Sequence, residues 1–213
     1  MKAIVVGATG ATGKDLVDIL LKDDEFSSVE IFVRRNPNFE HEKLKVHIID
    51  FDHSEEWANL VQGDVLFSCL GTTLKAAGSK EAQWKIDYDY QYEFAAIAKK
   101  NGVPNYVLVS SAMANANSSF YYMRMKGELE EAVKKLNFER TLIFNPPALV
   151  RENSDRAGEN FGVKLVRFLN FFGIAKNQKP LPTKVLAQSM VNTLKTSGKG
   201  IHHFQPKDIG RTE

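Results

Sequence analysis

The sequence predicts an α/β protein with three layers: a doubly wound, mostly parallel sheet, helices on both faces of it, and a small C-terminal extension. Three observations lead to this prediction. A continuously apolar segment at 3–6 opens the chain, as is typical of a strand buried on both faces. A glycine-rich turn follows, and apolar residues then recur at helical spacing over 14–21. Further apolar runs alternate with helical patterns, which is the order expected for the crossover units of a parallel sheet.

The remaining elements are predicted from the same two patterns. We expect one domain over 1–213, with 146–213 contributing a small region on the substrate side. Strands are predicted at Ser28–Val33, 45–49, 64–70, Asn105–Val109 and Arg140–Phe144, with an edge strand at 201–204. Helices are predicted from position 54, over 79–100, over 120–136 and over Thr183–Thr196.

Composition and charge limit the classes of function. The 28 basic and 26 acidic residues give a net charge of only +2, without a basic stripe, so nucleic acid is not expected as a direct partner. The single cysteine, Cys69, excludes an internal disulfide and favours a reducing compartment. No segment is apolar enough to predict a transmembrane helix. We therefore expect a cytoplasmic protein.

The turn after the first strand carries glycines three residues apart, at Gly7, Gly10 and Gly13. Strand, glycine turn and helix together form the context of a dinucleotide-binding fingerprint. In that context Gly7 permits the sharp turn, Gly10 permits close approach of a pyrophosphate, and Gly13 permits the helix to pack against the sheet. The free N–H groups at the helix start face the phosphates. The predicted cofactor-binding residues of this turn are Gly7, Thr9, Gly10, Ala11, Thr12 and Gly13.

The ends of the next strands predict the rest of the nucleotide site. Arg34 and Arg35 follow the second strand, where arginine pairs with a 2′-phosphate, so NADP(H) is expected in preference to NAD(H). Asp50 and Phe51 close the third strand, and we expect them to meet the adenine through a carboxylate and an apolar edge. The small turn after the fourth strand lies where the nicotinamide ribose passes. The cofactor residues predicted in that turn are Leu70, Gly71 and Thr72.

A candidate catalytic group follows the fifth strand, which delivers Ser111 to the carboxyl edge of the sheet. Tyr122 and Lys126 lie four residues apart on the next helix and therefore on one face. A phenol titrates near ~10, so it needs an adjacent cation such as Lys126 to act as a general acid or base at neutral pH. Ser111 is expected to orient the substrate oxygen. The five histidines show no metal-ligand spacing, and no Gly-x-Ser-x-Gly elbow is present, so neither a metal site nor a hydrolase triad is predicted.

These motifs together resemble those of the atypical short-chain dehydrogenase/reductases, and within them the Tat-interacting oxidoreductase-like branch. The resemblance implies a Rossmann domain that binds NADP(H), with Ser111, Tyr122 and Lys126 in the catalytic positions. One departure is that Asn145 stands where relatives often carry arginine before proline, which puts in doubt whatever that arginine anchors. The similarity covers most of the chain and rests on the glycine turn, Arg34-Arg35, Asp50-Phe51, 69–73, 86–90, Ser110-Ser111 and 122–128.

Three functions remain open from the sequence. The first is an NADP(H)-dependent oxidoreductase acting on a small carbonyl or alcohol substrate. The second is an NADPH-binding regulator or scaffold with little turnover. The third, epimerisation of a sugar nucleotide on tightly held NAD, is disfavoured by Arg34, Arg35 and the short C-terminal part. The strongly apolar helix predicted at 161–172 indicates a pocket wall, a homo-oligomer interface or a surface for a protein partner.

Overall fold

The structure is a computed structural model that describes residues 1–150 and 180–210. Its main sheet has seven strands in the order β3-β2-β1-β4-β5-β6-β9, and every neighbouring pair is parallel. This confirms the predicted α/β class and the doubly wound topology, in which the order reverses between β1 and β4. The strands are β1 Lys2–Val6, β2 Ser28–Val33, β3 Leu44–Ile48, β4 Val65–Ser68, β5 Asn105–Val109, β6 Arg140–Phe144, β7 Leu149–Val150, β8 Leu181–Pro182 and β9 Gly200–Phe204, with β7 and β8 forming a separate parallel pair.

Helices cover both faces of the sheet, as the three-layer prediction requires. Helices α1 and α7 pack on one face, and α2, α5 and α6 pack on the other. Each face therefore has its own apolar core, and the central strands between the two cores are mostly apolar because both of their faces are buried. The helices are α1 Ala11–Lys22, α2 Ser54–Trp57, α3 Leu74–Ala77, α4 Lys80–Trp84, α5 Tyr90–Lys100, α6 Tyr121–Lys135 and α7 Thr183–Thr196, with a 3₁₀ turn at Ala58–Leu60 and a π-helical segment at Lys85–Asp89.

Two helices differ from the sequence prediction in ways that affect the site. The helix predicted over 79–100 is interrupted by the π-helical segment Lys85–Asp89, a feature that apolar periodicity does not reveal. The helix after the glycine turn begins already at Ala11, so its first amides belong to the turn itself. The apolar helix predicted at 161–172 lies outside the described residues. Among the described helices, none has the length and apolar character needed to cross a membrane.

An aromatic cluster fixes the tip of β3, where the predicted adenine contacts lie. Trp57 and Phe94 stack with ring centroids 4.2 Å apart, and Phe51 packs on Phe94 at 5.5 Å. The Trp57 indole N–H donates a 2.7 Å hydrogen bond to the carbonyl of Asp50. Because Phe51 is only 5% exposed, its ring belongs mainly to this core.

A buried carboxylate crosslinks the amino-terminal part of the sheet. Glu30, in β2, is 4% exposed and lies 2.9 Å from Lys2 Nζ and 2.7 Å from His47 Nε2. Burial alone raises the pKa of Glu30, but the hydrogen bonds and charges of Lys2, His47 and Lys45 outweigh it, and the net pKa is lowered.

We therefore predict that Glu30→Gln lowers the free energy of unfolding at neutral pH by about 1–3 kcal/mol. A carboxylate whose pKa is lowered in the folded state contributes stability above its unfolded pKa and loses that contribution as the pH falls. The deficit of the variant should therefore be full at about pH 7 and smaller at about pH 3, since it is lost below the usual carboxyl pKa, as urea unfolding would measure. The exposed Glu40→Gln is the control. A deficit of equal size at both pH values would contradict the prediction.

Candidate functional site

The glycine turn packs directly onto the end of β4. Gly7 has φ +81°, a conformation that favours glycine, and a Cβ added there would lie 2.4 Å from the backbone carbon of Cys69. The Gly7 carbonyl accepts a 2.9 Å hydrogen bond from the Gly10 amide, which closes the turn. Gly7 is therefore required both by its backbone conformation and by the close approach of two strand ends.

The start of α1 forms a cradle of backbone amides that no side chain caps. Gly10 is the N-cap residue, it has no side chain to cap the helix, and no acidic residue occupies the first turn of α1. A Cβ on Gly13 would lie 2.1 Å from the Gly7 carbonyl oxygen. Gly13 therefore lets α1 pack closely onto the glycine turn, whereas the sequence predicted that it packs onto the sheet. Helix amides without a capping side chain bind anions, and these residues therefore fit a pyrophosphate.

The ends of β2 and β3 lie beside this cradle in the sheet order. Arg34 and Arg35 follow β2 and are exposed, and neither has an ion-pair partner within residues 1–150 and 180–210. The carboxylate of Asp50 is exposed and accepts a 3.0 Å hydrogen bond from the amide of Asp52. Phe51 is buried, so only its edge and backbone are available to a neighbouring ligand.

The turn after β4 connects the cradle to the next helices. Gly71 is exposed, and the Thr72 amide donates a 2.9 Å hydrogen bond to Asp87 Oδ2. Cys69 packs against the apolar core, and burial raises the pKa of its thiol to about 12. The thiol is therefore protonated at neutral pH, as expected for a core residue and not for a nucleophile.

The three predicted catalytic side chains come together at the end of β5. The Tyr122 phenol interacts electrostatically with the Ser111 side chain and with the charge of Lys126. The Ser111 hydroxyl itself donates a 3.2 Å hydrogen bond to the carbonyl of Ala112. Burial raises the pKa of Tyr122, and Asp87 adds to this, whereas Lys126 and Ser111 lower it. The net pKa is raised. Lys126 does lower the pKa of Tyr122, as the sequence predicted. The net pKa is nevertheless raised, because burial and a second charge oppose Lys126.

That second charge belongs to Asp87, which sequence reasoning did not select. Asp87 Oδ1 lies 3.1 Å from Lys126 Nζ, with side chains that are 1% and 3% exposed. Burial alone would lower the pKa of Lys126, but the interactions with Asp87, Tyr122 and Glu130 together outweigh it and the pKa is raised, so Lys126 stays protonated. The only sequence signal was that Asp87 lies within 86–90, one of the segments that carried the family resemblance.

Asn145 anchors the segment that carries Ser111. It is 3% exposed, and its Nδ2 donates to the Ser111 carbonyl at 3.0 Å and to Glu130 Oε1 at 2.7 Å. The hydroxyl of Ser110 donates to the same Glu130 oxygen. The Asn145 amide thus links the end of β6 to α6 and to the end of β5 by hydrogen bonds. It does so at the position where relatives often carry an arginine.

Comparison with known proteins agrees with the fold. A family model described as NAD(P)H-binding matches residues 7–164. Protein FMP52-1, mitochondrial, of Scheffersomyces stipitis is 36% identical over 204 residues, covering 92% of this chain and 89% of the relative. Protein HTATIP2 of Rattus norvegicus is 35% identical over 204 residues, covering 92% and 82%. The Bordetella bronchiseptica enzyme WbmH in complex with NAD+ shares the fold, with a TM-score of 0.71 at 15% identity over 95% of this chain and 74% of WbmH.

The chain therefore belongs to the NAD(P)H-binding family and, within it, to the atypical short-chain dehydrogenase/reductases. Among the atypical short-chain dehydrogenase/reductases the chain is HTATIP2-like, as the motifs at the glycine turn and at 69–73 indicated.

The expected cytoplasmic location is wrong. FMP52-1 and other FMP52 relatives are named mitochondrial proteins, which conflicts with it. The physical reason for the error is that a single cysteine and a balanced charge indicate a reducing environment, and this is not a property of one compartment alone.

We predict that Gly13→Ala lowers the free energy of unfolding by about 1–3 kcal/mol, because the new methyl group meets the Gly7 carbonyl. Gly198→Ala is the matched control, since a Cβ there meets nothing within 4 Å. Denaturant unfolding of the two variants measures the difference. Equal stability of both variants would show that the turn relaxes freely around the methyl group.

Proposed function

We propose that the protein is an NADPH-dependent oxidoreductase that acts on a small carbonyl or alcohol substrate. The observation that carries the proposal is a continuous path of contacts and electrostatic interactions along the carboxyl edge of the sheet. From the glycine turn, the path runs through the end of β4 to Thr72 and Asp87. It continues to Lys126, and from there to Tyr122 and Ser111. A dinucleotide that begins at the glycine turn and follows this path ends beside the candidate catalytic side chains.

Each part of the path suits one part of the cofactor. The amides at the start of α1 suit the pyrophosphate, and the exposed guanidinium groups of Arg34 and Arg35, without an ion-pair partner among residues 1–150 and 180–210, suit a 2′-phosphate. Asp50 suits the adenine amine, and Lys126 suits the hydroxyls of the nicotinamide ribose. The proposed cofactor residues are Gly7, Thr9, Gly10, Ala11, Thr12, Gly13, Arg34, Arg35, Asp50, Phe51, Leu70, Gly71, Thr72 and Lys126.

The reduced nicotinamide, when bound, supplies a hydride to the substrate carbon. The side chains of this protein handle the substrate oxygen. Ser111 donates a hydrogen bond that orients it, and Tyr122 donates the proton that the reduced oxygen needs. Lys126 holds a positive charge beside the phenol and thereby stabilises the phenolate left after proton transfer.

The electrostatics hold Tyr122 in the protonation state that carbonyl reduction uses. Because burial raises the pKa of Tyr122, the phenol is held in its protonated form at neutral pH. A protonated phenol is the form required to protonate a carbonyl oxygen. Oxidation of an alcohol needs the phenolate instead and is therefore expected to speed up as the pH rises.

We predict that the protein binds NADPH more tightly than NADH and that Arg34→Ala/Arg35→Ala removes the preference. The loss of two charge-assisted contacts should weaken NADPH binding by about tenfold or more and leave NADH binding unchanged. Titration by nicotinamide fluorescence measures both affinities. Lys184→Ala/Lys207→Ala removes the same charge from exposed positions elsewhere and should leave both affinities unchanged. An NADPH preference that survives the arginine substitutions would refute the 2′-phosphate assignment.

Turnover separates an enzyme from a regulator. NADPH oxidation should be measured with a panel of small aldehydes and ketones, using the wild type and Tyr122→Phe. We expect at least one carbonyl to be reduced, and a loss of about 10²–10⁴-fold in kcat for the variant, the usual size of a general acid contribution. Tight binding of NADPH with no turnover in the wild type would instead support a cofactor-dependent regulator or scaffold.

A further inference from the structure

The buried ion pair between Asp87 and Lys126 joins two different helical elements at a cost in desolvation. Both side chains are at most 3% exposed, and taking two charges out of water costs several kcal/mol per ion in a typical protein. Each partner comes from a different element: Asp87 from the π-helical segment and Lys126 from α6. Widened helical turns of this kind occur frequently at functional sites.

Asp87 is held in place by an ordered set of hydrogen bonds. Its Oδ2 accepts from the Thr72 amide at 2.9 Å, and its backbone carbonyl accepts from Gln91 Nε2 at 2.7 Å. Gln91 Oε1 in turn accepts a 2.8 Å bond from the hydroxyl of Ser68, the last residue of β4. Asp87, Gln91 and Ser68 are all buried. The carboxylate therefore has a fixed position relative to the strand that carries the cofactor turn.

We propose that Asp87 is a positioning residue that orients Lys126 toward the cofactor turn, and that its negative charge sets how readily Tyr122 gives up its proton. This inference rests on the proposed function, because it assigns Asp87 a part in the same site. An ammonium group has three N–H donors, and one turned to Asp87 leaves two for ribose hydroxyls. The carboxylate thus directs Lys126 without using up its capacity to bind.

The charged groups around Tyr122 make the sign of the effect definite. From α6, Lys126 stabilises the phenolate, and from the π-helical segment, Asp87 disfavours it. From the end of β5, the Ser111 side chain also favours the phenolate. Glu130, one turn beyond Lys126 on α6, acts on Lys126 in the same direction as Asp87. Removal of the Asp87 charge alone therefore removes a negative charge that disfavours the phenolate, while Lys126 and Glu130 remain, and makes Tyr122 more acidic.

The test is a titration of Tyr122 that needs neither cofactor nor substrate. Fluorotyrosine can be incorporated at all six tyrosines, because fluorine makes a phenol more acidic and gives each residue a ¹⁹F resonance. The Tyr122 resonance is identified by its absence in Tyr122→Phe. The midpoint is then compared in the wild type, Asp87→Asn and Asp89→Asn. Asp89 is the matched control, since it is an exposed aspartate of the same π-helical segment.

We expect Asp87→Asn to lower the midpoint by about one pH unit and Asp89→Asn to leave it unmoved. A purely structural role for Asp87 would lower stability without moving the midpoint in this direction. A folded Asp87→Asn protein whose Tyr122 titrates like that of the wild type, or like that of Asp89→Asn, would overturn the proposal. Failure of the proposed function, by contrast, would appear as absent nucleotide binding or absent turnover and leave this titration intact.

Asp87→Asn leaves a buried lysine unpaired and can therefore prevent folding. Asp87→Asn/Lys126→Met removes both charges and avoids that cost. Because Asp87 offsets Lys126 in the wild type, we expect the midpoint of the double variant to stay close to the wild-type value. If Asp87 did not offset Lys126, loss of Lys126 would raise the Tyr122 midpoint by about one pH unit. A rise of that size in the double variant would therefore overturn the proposal.

Discussion

The ion pair between Asp87 and Lys126 is the interaction on which the geometry of the site depends. An unpaired charge in this position would be strongly destabilising, since breaking a buried pair typically costs about 3–5 kcal/mol. The two side chains must therefore remain within contact, and their 3.1 Å separation fixes α6 relative to the turn after β4. Tyr122 is on the same helix as Lys126, so its position follows from that of the pair.

The glycine turn is the second constraint, and it acts through close approach. Gly7 touches the backbone at Cys69, and Gly13 touches Gly7, so neither position has room for a side chain. This packing brings the amino end of α1 next to the turn that ends in Thr72. The phosphate cradle and the charged pair are thereby parts of one rigid edge of the sheet, which suits a ligand with a phosphate at one end and a ribose at the other.

Much of this arrangement follows from local sequence patterns. The strands β2, β5 and β6 and the helix α7 have the predicted bounds, because continuous apolar runs and helical periodicity directly report burial. The glycine spacing and the turn after β1 were equally predictable, since they depend on neighbours in the sequence. Ser111, Tyr122 and Lys126 could be predicted to lie on one edge, because strand ends and a four-residue helical spacing depend only on neighbours in the sequence; their catalytic role stays a prediction.

Other features depend on contacts between distant residues and left no such pattern. Asp87 faces Lys126 across 39 positions of the chain, and its inward orientation comes from a π-helical segment that periodicity reads as an ordinary helix. The net pKa direction of Tyr122 was missed for the same reason, because it depends on burial and on Asp87. Asn145 is a further example, since its hydrogen bonds to Ser111 and Glu130 form only when β6 and α6 are packed together.

A crystal structure of the complex with NADP+ would test the central claim most directly. The account predicts the pyrophosphate on the amides at the start of α1, and Lys126 Nζ within hydrogen-bonding distance of the nicotinamide ribose while it still contacts Asp87. The nicotinamide ring should then lie beside Tyr122. A nucleotide bound elsewhere, or a ribose that does not reach Lys126, would contradict the account.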